Sequence, residues 1–273
     1  MNPAELYFAQ ENGPQENEGT LPPLVILHGL FGSSRNWTSI ARLLADERDV
    51  YCLDARNHGD SPHADTHTLT DLREDLHGWI QSRSFAQPPI VIGHSMGGMA
   101  AMACALAYPE SMQALVVVDI APREYPPHHQ SEFEALELDV AGCATRGEVD
   151  ARMQTIVADP MVRQFLQMNL IRRTGGENGY AWRINVPALK AAAGDRGLEA
   201  AELSGAAYAK PTLFIRGGAS DYVRDPDDFA GIHERFSAAR IETIAGQGHW
   251  LHYSATQEFL QILQGFLQEI KAG

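Results

Sequence analysis

Long apolar runs are missing from this chain of 273 residues, and so is any excess of basic charge. No run approaches the roughly 20 apolar residues that a membrane-spanning helix needs. The opening "MNPAELYFAQENG" has neither the basic start nor the apolar core of a secretory leader. Lysine and arginine total 21 against 35 aspartates and glutamates, which leaves a net charge of −14. Such a surface repels nucleic acid and anionic membranes, so neither is expected as a partner. Cysteine is scarce as well: Cys52, Cys104 and Cys143 are odd in number and far apart. That spacing excludes a disulfide framework and a cysteine-rich metal motif, and two of the three sit in apolar runs as buried thiols would. A cytoplasmic protein is expected. Its oligomeric state is not legible.

What the chain does have is the composition of a packed globular protein, 44% hydrophobic and 21% charged. Its length suits one large α/β domain, or a core with a smaller cap. Short apolar runs alternate with helical patterns. "LVILHG" (24–29), "DVYCLDA" (49–55), "PIVIGHS" (89–95) and "ALVVVDI" (114–120) read as strands covered on both faces. Between them lie amphipathic helices, one with Trp37, Ile40, Leu43 and Leu44 on a single face and one over 69–83 with Leu72, Leu76 and Ile80 at helical spacing. The small-residue segment "MGGMAAMACALAY" suits a helix packed closely on a sheet. This order predicts a doubly wound, mostly parallel sheet. The polar stretch 11–20 reads as a loop.

The alternation stops from about 122 to 209, where the patterns are helical with no convincing strand. It resumes with "TLFIRGG" (212–218), a helix near 226–237, "RIETIAG" (240–246) and a closing helix. The expected organisation is a core of 1–121 and 210–273, with 122–209 inserted as a helical cap over the carboxyl edge of the sheet.

Gly93-His94-Ser95-Met96-Gly97 follows an apolar strand and opens a helix, the setting that a G-x-S-x-G nucleophile elbow requires. A serine hydroxyl needs a base, and histidine has the suitable pKa. Of the eleven histidines, His249 follows the last strand and precedes the final helix, at the same carboxyl edge as Ser95. His252 reads as a packing or surface residue, and His28 and His94 as buttresses of the turn. His128 and His129 adjoin without a third ligand, so they are not read as a metal site. In such folds the acid usually lies three residues beyond the first glycine of "TLFIRGG", a place that holds Ser220 here, while Asp221 is one residue late. Asp119, at the end of "ALVVVDI", is the other candidate, because a carboxylate buried there needs a partner such as His249. Asp119 is preferred, with Ser220 as an auxiliary hydrogen-bond partner, and Asp221 stays open. The backbone N–H groups of Leu30 and Met96 are the candidate oxyanion donors. Side chains of Leu30, Phe31 and Met96 are expected to line an acyl pocket.

In this order "HGLFGSSRNW", "DARNHGDSPH", "GHSMGGMA", "VVVDIAP" and "GQGHW" resemble the α/β-hydrolase superfamily. Within it they resemble small bacterial carboxylesterases similar to abhydrolase-domain-containing protein 11. "MNLIRR…YAWRINVPAL" extends the similarity into the 122–209 segment, so it covers nearly the whole chain. The resemblance implies a Ser–His–Asp esterase for short acyl esters, working without metal or cofactor on a small-molecule ester. It makes Ser95 the nucleophile and His249 the base, and it supports Asp119. It also implies that the run Arg56 to Ser61 is a structural loop. Phe31 and Trp182 are the expected substrate-binding side chains. An acyl-CoA thioesterase, a perhydrolase or a carbon–carbon bond hydrolase could use the same residues, and Arg172 with Arg173 could form a patch for a polyanionic coenzyme. A binding module without chemistry is the non-enzymatic alternative, disfavoured because Ser95 and His249 are both present.

Overall fold

Four apolar runs become strands buried along their whole length: β2 (Leu24–Leu27), β3 (Val50–Leu53), β4 (Ile90–His94) and β5 (Ala114–Val118). The computed structural model describes residues 3–14, 21–174, 179–193, 198, 203 and 205–272. With β1 (Phe8–Glu11), β8 (Thr212–Gly217) and β9 (Ala239–Ile244) these strands form a seven-stranded sheet in the order β1-β3-β2-β4-β5-β8-β9. Every neighbouring pair is parallel except β1–β3, where Phe8 lies opposite Leu53. β1 overlaps the stretch 11–20 expected to loop out at Glu11 alone, and 15–20 lie outside the described residues.

Alternate residues of each strand feed opposite faces, as a period of two requires. Val25, Leu27, Val91 and Val117 pack with α2 (Leu69–Gln81) and α3 (Met96–Ala107). Leu24, Ile26 and Val116 pack with α1 (Thr38–Leu44) and the apolar stripe of the closing helix 256–272, around Phe259, Leu263 and Phe266. Leu43, expected on the buried face of α1, is 51% exposed, and Ala41 takes that side instead. Strand order reverses at β2, with β3 on one side and β4 on the other. The carboxyl ends of β2 and β4 therefore flank the crevice where such sheets bind ligands.

Between β5 and β8 come α4 (Gln130–Leu136), α5 (Arg146–Met153), α6 (Pro160–Leu166) and α7 (Val186–Ala192). The expectation of helices alone is corrected here. β6 (Leu170–Arg172) and β7 (Tyr180–Trp182) form an antiparallel pair with Leu170 opposite Trp182. Three-residue strands are too short to show a period of two, and their pairing is a tertiary event. The segment has its own apolar cluster, including Phe133, Leu136, Met153, Leu166 and Leu189, and Phe31 inserts into it from the loop after β2. It is tied to the loop after β3 by Asn185, whose N–H donates to the Asn57 carbonyl (3.0 Å) and whose Nδ2 donates to Asn57 Oδ1 (2.9 Å). Arg183 adds an ion pair to Asp60 at 2.9 Å. Among the described residues, no helix is long and apolar enough to cross a membrane.

Candidate active site

At the end of β4 the chain turns sharply into α3, and Ser95 occupies the turn with φ 52° and ψ −119°. A residue with a β-carbon is uncommon at positive φ, and the surroundings must hold it there. Ser95 N–H donates to the Val118 carbonyl (3.0 Å), and Met99 N–H donates to the Ser95 carbonyl (3.0 Å). The two flanking glycines allow the close approach. A β-carbon on Gly97 would lie 2.6 Å from the carbonyl oxygens of Leu27 and His28, and one on Gly93 would strike the Gly97 carbonyl. The Ser95 hydroxyl caps no helix N–H and lines the adjoining cavity.

Asp119 follows β5, fully buried and also at positive φ, 51°. Its Oδ1 accepts the Gly217 N–H (2.8 Å), and its Oδ2 accepts the Ser220 hydroxyl (2.5 Å) and His249 Nδ1–H (2.8 Å). Three donors offset the cost of burying the carboxylate. Holding Nδ1–H on Asp119 leaves Nε2 as the basic nitrogen of the neutral ring. The side chain of Asp221 is exposed, and its backbone carbonyl accepts Arg123 Nη2 (3.0 Å). The structure therefore brings Asp119, Ser220 and His249 together and leaves the Asp221 carboxylate outside the group.

The loop after β2 forms the opposite wall. Gly32 N–H donates to the Gly29 carbonyl (3.0 Å) and Phe31 N–H to His58 Nε2 (3.2 Å). Among the described residues no acceptor is paired with the N–H of Leu30 or of Met96. Ser95, His249, Leu30 and Phe31 line one cavity of about 260 Å³, roofed from the 122–209 segment by His129, Glu132, Phe165 and Leu166. The Met96 side chain points elsewhere. It lines a neighbouring cavity of about 160 Å³ together with His67, Leu69, Met99 and Leu189, and Leu30 lies on both walls. Among the described residues no three His, Cys, Asp or Glu side chains converge as metal ligands would.

A model of the alpha/beta hydrolase fold family matches residues 22–256. The chain belongs to the α/β-hydrolase family. It is 36% identical to the sn-1-specific diacylglycerol lipase ABHD11 of Mus musculus, over 92% of this chain and 83% of that one. It is 32% identical to esterase YbfF of Escherichia coli, over 93% and 96% of the two chains. A solved structure titled marine microorganism esterase superposes with a TM-score of 0.87 at 36% identity, covering 96% of this chain and 99% of the other. The relatives are named as esterases and lipases, and this α/β-hydrolase is a hydrolase of that group.

Trp182, expected to touch substrate, lines neither cavity of this α/β-hydrolase. Trp182 ends β7, and its indole Nε1–H donates to the Leu138 carbonyl (3.0 Å). Arg172 lies over the Tyr180 ring at 4.6 Å and is also not part of the cavity wall. The Arg56–Ser61 run is a scaffold. Arg56 holds Asp75 (2.6 and 2.7 Å) and Asp71 (2.9 Å), and Asp54 just before it accepts the N–H of Ser34 and of Asp60. The residue that sequence reasoning missed is Tyr222, whose ring lies parallel to the His249 imidazole with centroids 3.8 Å apart.

Buried imidazoles support the site from below. His28 Nε2 accepts the Ala55 N–H (3.0 Å) while Nδ1–H donates to the Gly29 carbonyl (2.8 Å). His94 Nε2–H donates to the His249 carbonyl (3.0 Å), which fixes the backbone of the base. His252 stacks on Trp37 at 4.5 Å and 6°. Burial pushes the pKa of His28, His58 and His94 down, and those of His67 and His252 down to about 3. The unfolded chain binds a proton at each position as pH drops below about 6.5, and the folded chain does not, so stability is complete above that value and lost below it. Each such histidine then costs about 1.4 kcal/mol per pH unit between about 6.5 and its folded value. Unfolding free energies from urea titrations should fall from pH 6.5 to pH 5, and His252→Phe, which keeps the stack on Trp37, should flatten that slope by about 1.4 kcal/mol per unit. An unchanged slope in the variant would mean that His252 takes up its proton in the folded protein as readily as in the unfolded chain.

Proposed function

We propose that this chain hydrolyses carboxylic esters with short acyl groups through an acyl-enzyme on Ser95. The observation that carries the reading is the His249–Asp119 contact at 2.8 Å, at the edge of the cavity that Ser95 also lines. His249 Nε2 takes the hydroxyl proton as Ser95 Oγ attacks the ester carbonyl carbon. The oxygen that gains charge is met by the N–H groups of Leu30 and Met96, dipoles fixed before the reaction begins. The imidazolium returns its proton to the departing alcohol. A water molecule, deprotonated in turn by His249, then releases the carboxylic acid and frees Ser95. Asp119 holds the ring in the tautomer each step requires.

The short-acyl preference rests on the roof. Phe165, Leu166, Phe31 and Met161 line a cavity of about 260 Å³. With the acetate, butyrate, octanoate and palmitate esters of one chromogenic alcohol, kcat/KM should peak at the short end and fall at least tenfold by palmitate. The name of the mouse relative favours a second reading, a lipase for diacylglycerol. Best activity on long-chain diacylglycerol, with a rate jump at a lipid interface, would establish that reading and refute the short-acyl preference. An acyl-CoA in the same panel separates ester from thioester hydrolysis. Proposed along with the activity are a cytoplasmic location, a small-molecule ester as the partner, and 122–209 as a cap on the core of 1–121 and 210–273.

A further inference from the structure

Tyr222 lies in the loop after β8, two residues past the hydroxyl that supports Asp119. Its ring faces the His249 imidazole at a centroid distance of 3.8 Å and an interplanar angle of 17°. Three contacts hold it in that pose. Its hydroxyl bonds His128 Nε2 (2.6 Å), and His128 Nδ1 is in turn bonded to the Pro126 carbonyl (2.7 Å). The Tyr222 carbonyl accepts the Tyr125 hydroxyl (2.6 Å), and the Tyr222 N–H reaches Ser220 Oγ (3.3 Å). Tyr222 is absent from the walls of the cavity that holds Ser95 and His249. Its ring contact is with the base.

We propose that Tyr222 is a positioning residue that holds the His249 ring in plane and stabilises its protonated form through the face of the phenol ring. A single hydrogen bond to Asp119 leaves the imidazole free to swing about it, and a flat neighbour in van der Waals contact removes that freedom. The same face is the negative pole of the ring quadrupole, so it favours the imidazolium that forms when Ser95 loses its proton. The phenol stays protonated: burial, with Asp119 and Glu132 nearby, pushes its pKa up to about 12. The other groups around His249 are the Asp119 carboxylate, the His94 ring at 4.6 Å, and His252 beyond His94. His129 and Glu132 lie across the cavity. Burial keeps His94 and His252 neutral; the bond to His129 holds Glu132 ionised across the cavity, so Asp119 and Glu132 are the anionic groups that face His249 and Tyr222 is the ring in contact with it. The His128 bond makes the entry loop of the 122–209 segment part of the mount.

The inference rests on the serine-hydrolase reading above, and the two fail differently. With a chromogenic acetate ester, Tyr222→Leu should lower kcat about tenfold with KM within twofold, and should move the acid limb of kcat/KM about half a unit to lower pH. Tyr222→Phe keeps the ring face and should restore both values to within about threefold and 0.2 unit. Thermal melts of both variants check the fold. If Tyr222→Leu changes KM or acyl-chain preference while kcat and the acid limb stay put, Tyr222 is a substrate contact and the inference falls. It falls equally if Tyr222→Phe is as slow as Tyr222→Leu, because the ring face would then not be the operative feature. If His249→Ala turns over like the wild type, the serine-hydrolase reading itself has failed.

Discussion

Ser95→Ala should remove ester hydrolysis almost completely, by roughly 10⁵–10⁶ in kcat, while the protein folds and melts as before. The two halves of that result have separate causes. The chemical loss is large because the hydroxyl is the atom that would bond to the acyl carbon, and water has no equivalent place against His249. The folded state is spared because the Ser95 side chain caps no helix N–H, and alanine carries the same β-carbon at φ 52°. Any positive-φ strain is therefore unchanged. Residual turnover should still exceed that in buffer by roughly 10³, from the oxyanion donors and binding alone. His249→Ala should fall to a similar level, and the double variant should be scarcely slower than either single one, since each removal already disables the unit. A fluorophosphonate probe should label the wild type at Ser95 and leave Ser95→Ala unlabelled. Turnover near wild type in Ser95→Ala would refute the proposed mechanism, whatever the fold.

What could be read in the sequence follows from how local each signal is. The sharp turn at Ser95 was legible because its constraints lie within four residues: a buried strand before it, small residues after it, and glycines two positions away on either side. The strands β2, β4, β5 and β8 were legible because both faces are covered, which makes them continuous apolar runs. β6 and β7 were not, because three residues carry no period and their pairing depends on tertiary contact. The side that Trp182 faces was not legible for a related reason. Hydrophobicity marks it as part of the 122–209 cluster, but which face meets the cavity depends on how that cluster sits on the core. Tyr222 gave no signal at all, since its role comes from a ring stacked on a histidine far along the chain. Asp119 lay between these cases, suggested by the cost of a carboxylate at the end of an apolar strand and contested by Asp221.

Asp119→Asn should lower kcat by about 10³–10⁴, whereas Asp221→Asn should cost less than about tenfold. The amide is nearly isosteric, so the fold should hold. Its oxygen can still accept the Gly217 N–H that now bonds Oδ1 at 2.8 Å. The nitrogen then takes the place of Oδ2, where the Ser220 hydroxyl and His249 Nδ1 converge. An N–H pointing at Nδ1 selects the other imidazole tautomer, with the proton on Nε2. That nitrogen would then face Ser95 as a donor, unable to accept the hydroxyl proton. The imidazolium would also lose its buried counter-charge, which a dry site makes expensive. Asp221 offers none of this, because its side chain is exposed and its bonds to Arg123 and Arg224 are made by the backbone carbonyl, which the amide leaves alone. Steady-state kinetics at pH 8 on both variants, with a circular dichroism melt for each, separate the two aspartates. A crippled Asp221→Asn beside an active Asp119→Asn would reverse the assignment of the acid and require the loop after β8 to carry its carboxylate to His249, leaving Ser95 and His249 in their roles.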